Sequence, residues 1–146
     1  MIKKTGLLFI PILLIVQLLK AQTHQVHLLS YTTLSLEIAD LDGDGDQDFL
    51  TGGISNLQWQ ENNGTGTFTS HTITQNFDET HAFKVIDLDG DGDNDIVASS
   101  FTTNQIYWLD NDGNENFTLT AITGAAGGCA GLDVSDFDND GDLDVV

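Results

Sequence analysis

Three short runs in this chain concentrate chemistry that the rest of the sequence does not offer. They are Asp40-Leu-Asp-Gly-Asp-Gly-Asp-Gln-Asp48, Asp87-Leu-Asp-Gly-Asp-Gly-Asp-Asn-Asp95 and Asp136-Phe-Asp-Asn-Asp-Gly-Asp-Leu-Asp144. Each has the form D-x-D-x-D-G-x-x-D. Carboxylates at positions 1, 3 and 5 of a tightly turning loop converge on one point. A glycine at position 6 (Gly45, Gly92 and Gly141) permits the sharp turn, after which the carbonyl at position 7 can face the same point. So many hard oxygen ligands suit calcium, which takes six to eight oxygens at about 2.3–2.6 Å, better than magnesium, which keeps several of its waters. No histidine or cysteine lies in these runs to favour zinc or copper. Four converging carboxylates make several like-charge pairs, each costing about 1–4 kcal/mol at contact distance, so without a cation such a loop splays open.

The elements that hold these loops repeat with them. The loop starts are separated by 47 and then 49 residues. Between the loops, Leu57-Gln-Trp-Gln-Glu-Asn-Asn-Gly64 matches Ile106-Tyr-Trp-Leu-Asp-Asn-Asp-Gly113, and Phe68 to Ile73 matches Phe117 to Ile122. Internal periodicity of this length marks a repeat architecture. In the middle unit, strands are expected at about 83–86, 96–100, 105–109 and 117–122, rich in β-branched and aromatic residues and separated by Gly, Asn and Asp clusters. Alternation places Leu57 and Trp59 on one face of their strand. Four strands in a period of about 40–50 residues make one propeller blade. The expected fold class is all-β: β-propeller blades of four antiparallel strands, in an incomplete propeller of about two full blades plus partial ones. Val146 stops inside a strand, and a propeller ring closes with about four to eight blades. The chain is therefore expected to be truncated at its C-terminus.

An EF-hand shares positions 1, 3, 5 and 6 but requires an acidic side chain at position 12 with a helix behind it. Position 12 is Thr51 in the first loop and Ala98 in the second, and strand-like sequence follows each loop. With that reading rejected, the acidic loop, the Trp strand and the Asn-Asp-Gly-x-x-x-Phe turn resemble the FG-GAP/VCBS repeat, which also builds the propeller of integrin α chains. The resemblance covers roughly residues 34–146. The Phe-Gly…Gly-Ala-Pro signature of the integrin form is absent, so the bacterial VCBS-like variety fits better. The resemblance implies one calcium ion in the loop joining the first two strands of each blade, up to three in all. Its carboxylate ligands would be Asp40, Asp42, Asp44 and Asp48; Asp87, Asp89, Asp91 and Asp95; Asp136, Asp138, Asp140 and Asp144. Asp46, Asp93 and Asp142 would contribute backbone carbonyls, with the side chain of Asp93 pointing outward.

The charge balance sharpens the reading. The chain has 23 acidic residues, four lysines and no arginine. Such a surface repels nucleic acid and anionic lipid, both of which need basic residues to displace counterions. Lys3-Lys4, an apolar run from Gly6 to Leu19 and then Lys20-Ala21-Gln22 have the form of a secretory signal peptide, with cleavage expected after Ala21. The apolar run is shorter than the roughly 20 residues of a spanning helix, so a retained anchor is the weaker alternative. The domains are accordingly residues 1–21, a signal peptide, and residues 22–146, the propeller repeats. A secreted or cell-surface location follows, without membrane insertion after cleavage. Cys129 is the only cysteine, so no internal disulfide braces the fold.

No catalytic constellation stands out. His24, His27, His71 and His81 show no ligand spacing, and Trp59 and Trp108, at equivalent places in the repeat, are expected in the core. Asn63-Gly-Thr65 and Asn116-Phe-Thr118 match glycosylation acceptors but coincide with blade turns. The expected function is that of a non-enzymatic, calcium-stabilised binding or adhesion module for an extracellular glycan or protein ligand. The alternative is a non-catalytic scaffold portion of a larger secreted, carbohydrate-active enzyme. A plain spacer also fits these residues.

Overall fold

The computed structural model describes residues 33–54, 56–75, 79–123, 128 and 130–146. The signal segment, His24, His27 and Cys129 lie outside the described residues. The described chain forms strands β1 (Thr33–Ala39), β2 (Asp48–Gly53), β3 (Asn56–Asn62) and β4 (Phe68–Gln75), then β5 (Phe83–Ile86), β6 (Asp95–Ser100), β7 (Gln105–Asn111) and β8 (Phe117–Thr123). A short hairpin of β9 (Val134–Ser135) and β10 (Asp144–Val145) follows. The strands make two four-stranded antiparallel meanders, ordered β1-β2-β3-β4 and β5-β6-β7-β8, and β9 pairs with β10. These are two propeller blades and the first hairpin of a third, as the period predicts. Neither four-stranded sheet closes on itself.

The acidic runs connect β1 to β2, β5 to β6 and β9 to β10, the first two strands of each blade. The expected strands of the middle unit match to within one residue, except that β7 continues to Asn111, two residues past the expected end. The cause is a contact between strands: the Asn111 backbone N–H donates to Asp95 Oδ1 at 2.8 Å and keeps the strand extended.

The core lies between the two blades. Leu41, Leu50, Leu57 and Trp59 of blade 1 pack with Phe83, Ile96, Ala98 and Leu109 of blade 2. Alternation explains the choice of residues: Leu57 and Trp59 share a face of β3, and Ile96 and Ala98 share a face of β6. Stacking two blades buries a continuous apolar layer that neither sheet encloses alone, which is how repeat folds gain stability. Trp59 is buried as expected, whereas Trp108 is only half-buried. It pairs across the ladder with Val97, on the face of blade 2 turned away from blade 1, and its buried indole N–H is directed at Asp95.

Charge adds a second link between repeats. Glu37, Lys84 and Asp133 occupy the same place in successive periods. Lys84 Nζ lies 4.0 Å from Glu37 Oε1 and 3.8 Å from Asp133 Oδ1, so one cation bridges carboxylates of the units before and after it. These distances and the exposure of the lysine make the row a modest contributor to stability.

Candidate metal centres

Each acidic loop is built by hydrogen bonds from its own backbone to its own carboxylates. In loop 1, Gly43 N donates to Asp40 Oδ1 at 2.9 Å and Gly45 N to Asp40 Oδ2 at 3.0 Å. Loop 2 repeats this with Gly90 N to Asp87 Oδ1 at 2.8 Å and Gly92 N to Asp87 Oδ2 at 3.0 Å. Loop 3 keeps the second bond, from Gly141 N to Asp136 Oδ2 at 3.1 Å. The position-6 glycines have φ of 94°, 102° and 103°, a region that L side chains rarely adopt. Position 4 also turns left-handed, and there loop 3 substitutes Asn139 (φ 63°), the side chain that best tolerates that conformation after glycine.

Three carboxylates converge in each loop: Asp40, Asp42 and Asp48; Asp87, Asp89 and Asp95; Asp136, Asp138 and Asp144. Within each set, one oxygen from every member lies within 4.8 Å of the others. Positions 1, 3 and 9 are thus brought together. Position 5 is placed differently: Asp44, Asp91 and Asp140 each accept a hydrogen bond at Oδ1 from the N–H of position 7, at 2.8, 2.9 and 3.0 Å. At position 7, the side chains of Asp46 and Asp93 do not point away from the blade. They lie over Gly64 and Gly113 of the following hairpin turn, so close that a β-carbon at either glycine would collide with the carboxylate. The donor set is all oxygen and all anionic, which fits a hard divalent cation.

Position 9 has a further role that residue spacing does not reveal. Asp48 and Asp95 are the first residues of β2 and β6, and both are buried, at 2% and 1% exposure. Asp48 Oδ2 accepts from Leu41 N at 3.0 Å and from the indole Nε1 of Trp59 at 2.9 Å, while Oδ1 accepts from Asn62 N at 2.8 Å. Asp95 accepts from Leu88 N at 3.1 Å and Asn111 N at 2.8 Å. In loop 3, Asp144 Oδ2 accepts from Phe137 N at 2.9 Å. Position 9 therefore pins the loop entrance to the third strand of the blade and turns one carboxylate edge into the cluster.

Asn111 and Asn94 tie one loop to the next blade. Asn94 Nδ2 donates to the Asp40 carbonyl at 2.7 Å, and Asn111 Nδ2 donates to the carbonyls of Leu41 at 3.2 Å and Asn94 at 3.0 Å. Asn62 sits one period earlier and makes the same bond within its own blade, to the Gln47 carbonyl at 3.0 Å. The recurrence of asparagine at an offset of 49 residues was the available signal for this role. The two matches to glycosylation acceptors are occupied: Asn63 Nδ2 donates to Thr67 Oγ1 and Asn116 Nδ2 to Asp112.

Burial raises the carboxyl of Asp95 above its ordinary value, outweighing the N–H donors of Asn111, Trp108 and Leu88. Asp42 is raised as well, first by desolvation and then by its neighbours Asp48, Asp44 and Asp40. A carboxyl with a raised native pKa favours folding when protonated, so its penalty is complete above the native value and vanishes below the unfolded value of about 3.9. The metal-free chain is therefore expected to melt at higher temperature as pH falls from 7 towards about 4.5, entering that window from above. With calcium bound the sign reverses, because protons compete with the ion for the same oxygens. Melting curves of metal-stripped and calcium-saturated protein across this range check it; parallel slopes in the two series would refute it.

With the geometry in place, comparison with known proteins identifies the family. A family model described as FG-GAP-like repeat matches residues 40–98 and again residues 87–146. The chain belongs to the FG-GAP-like repeat family. Among solved structures it is similar to a lectin from Agrocybe aegerita, described as specifically recognising non-reducing terminal N-acetylglucosamine, with a TM-score of 0.52 and 30% sequence identity. That match covers 66% of this chain and 26% of the lectin, so the chain spans about a quarter of the lectin's length. No curated protein matches the chain.

Proposed function

We propose that this chain is a secreted, calcium-stabilised β-propeller module that binds glycans and has no catalytic role. The observation that carries the calcium assignment is the recurrence of one carboxylate triplet, at positions 1, 3 and 9, in each of three loops in phase with the blades. Asp40, Asp42 and Asp48, with their counterparts in loops 2 and 3, would hold the ions. Asp44, Asp91 and Asp140 at position 5 and the carbonyls of Asp46, Asp93 and Asp142 would complete the shells as the loops close. The ions in this reading neutralise a surface that otherwise repels itself. The similarity to a lectin supports a saccharide as the ligand, and the net charge of −19 favours neutral over anionic sugars. Secretion fits both the ligand and the ion, since extracellular calcium modules work at about 10⁻⁴–10⁻³ M.

A glycan array probed with the chain in millimolar calcium, and again after metal removal, tests the reading. Binding to glycans ending in N-acetylglucosamine, weakened when the metal is stripped, is expected. An array without any calcium-dependent signal would overturn it.

A further inference from the structure

The three acidic loops are alike in themselves but not in their neighbours. Blade 2 grips loop 1 by the two carbonyls that separate its first two carboxylates. Asn94 Nδ2 donates to the Asp40 carbonyl at 2.7 Å, and Asn111 Nδ2 donates to the Leu41 carbonyl at 3.2 Å. Both donors belong to the framework of loop 2. Asn94 stands at position 8 of that loop, and the backbone N–H of Asn111 donates to Asp95 Oδ1 at 2.8 Å. Among the described residues, loop 3 gives loop 2 no such grip. Its position 8 is Leu143, whose side chain has no donor. A cleft of about 310 Å³ opens there instead, lined by Asp87, Leu88 and Asp89 of loop 2 and by Gly141, Asp142 and Leu143 of loop 3.

Asn111 is fully committed to this junction. It is 2% exposed, its Nδ2 also donates to the Asn94 carbonyl at 3.0 Å, and its Oδ1 accepts from Gly113 N at 3.2 Å. A buried amide with all its groups paired cannot turn without breaking several bonds at once. An unbroken path therefore joins the two clusters. It runs from Asp95 Oδ1 through the Asn111 N–H and amide to the Leu41 carbonyl. The Leu41 N–H completes it by donating to Asp48 Oδ2 at 3.0 Å. An ion that fixes Asp95 also fixes Asn111 and Asn94, and these hold the start of loop 1 in its closed form. Loop 1 then loses less freedom when its own ion arrives, which is positive cooperativity. By linkage, an ion at loop 1 favours the one at loop 2 by the same factor.

We infer that loops 1 and 2 form a coupled pair of calcium sites, joined by Asn94 and Asn111 as positioning residues, and that loop 3 fills on its own. The inference rests on the calcium reading above and adds a difference among sites whose sequences are nearly the same. The coupling is expected to be about five- to tenfold, near the low end for linked sites, because a few hydrogen bonds carry it.

Titration of the full chain with calcium alone, followed by the amide resonances of Gly45, Gly92 and Gly141, reads each site separately. Asp89→Ala removes a carboxylate from the loop 2 cluster and should weaken calcium binding at Gly45 by about five- to tenfold. Asp138→Ala does the same to loop 3 and should leave the Gly45 midpoint where it was. Asn94→Leu, which gives loop 2 the residue that loop 3 carries, should shrink the response of Gly45 to Asp89→Ala, and Asn111→Ala in addition should abolish it. Destabilisation alone would not remove the dependence of one site on another. If either asparagine variant folds poorly, the contrast between Asp89→Ala and Asp138→Ala in the otherwise unmodified chain decides the matter. A Gly45 midpoint indifferent to Asp89→Ala, or moved as far by Asp138→Ala, would overturn the pairing while leaving three calcium sites. Absence of a calcium-induced shift at all three glycines would overturn the calcium reading and the pairing together.

Discussion

Asp95→Ala is expected to be the most damaging single substitution in the chain, and Asp93→Ala, two residues away, a mild one. Asp95 is buried and accepts hydrogen bonds from the backbone N–H groups of Leu88 and Asn111. Removing its carboxylate strands both donors, and each unsatisfied buried group costs about 1–3 kcal/mol. The loss of stability should therefore be about 2–5 kcal/mol even without metal, with loss of ion binding at loop 2 in addition. Asp93 offers its carboxylate only to the turn at Gly113, and its charge is worth about 1 kcal/mol or less near the surface. Asp95→Asn is expected to fall between the two. Leu88 N and Asn111 N donate to different oxygens of Asp95, so the amide satisfies one of them and turns an NH2 towards the other, costing about 1–3 kcal/mol without metal, while the lost charge weakens the response to calcium. Denaturant titration and calorimetry with and without calcium would show the pattern. Equal effects of Asp93→Ala and Asp95→Ala at high salt would contradict the assigned loop geometry.

Calcium removal should have the largest effect of any change in conditions. An ion that binds only the folded state stabilises it by mass action, about 2.7 kcal/mol per site at a hundredfold excess over Kd. With extracellular affinities of about 10⁻⁴–10⁻³ M, 10 mM calcium supplies about 1.4–2.7 kcal/mol at each loop. Three loops together correspond to a rise in melting temperature of about 10 °C or more for a domain of this size. The hydrogen bonds from Asn94 and Asn111 to the carbonyls of Asp40 and Leu41 run from blade 2 to loop 1, so the ions should also tighten the docking of the blades. An unchanged melting curve after chelation, with metal removal verified by elemental analysis, would count against all three sites.

Much of this protein is legible in its residues because its information is local and repeated. Four strands per period follow from alternation and turn residues, which act over a few neighbours. The acidic loops follow from a nine-residue pattern in which glycine and asparagine mark where φ must be positive. Three in-phase copies turn each weak signal into a strong one, and they sufficed for the blade architecture and for the family. They marked the carboxylates of positions 1, 3, 5 and 9 as one cluster, of which the fold brings 1, 3 and 9 together and turns position 5 to the backbone of position 7.

Contacts between strands distant in sequence, within a blade and from one blade to the next, required the tertiary structure. Asp48 and Asp95 read as ligands by spacing, but their burial and their bonds to Asn62 and Asn111 depend on a third strand arriving beside them. Asp93 was expected to point outward, and packs instead over a glycine in a turn 20 residues away. Trp59 and Trp108 are identical by position, yet only Trp59 is sealed, because blade 2 lies against the face that carries it. Periodicity specifies each blade through contacts short in sequence, whereas the packing of blade on blade is set by side chains some 50 residues apart, whose meeting no local pattern encodes.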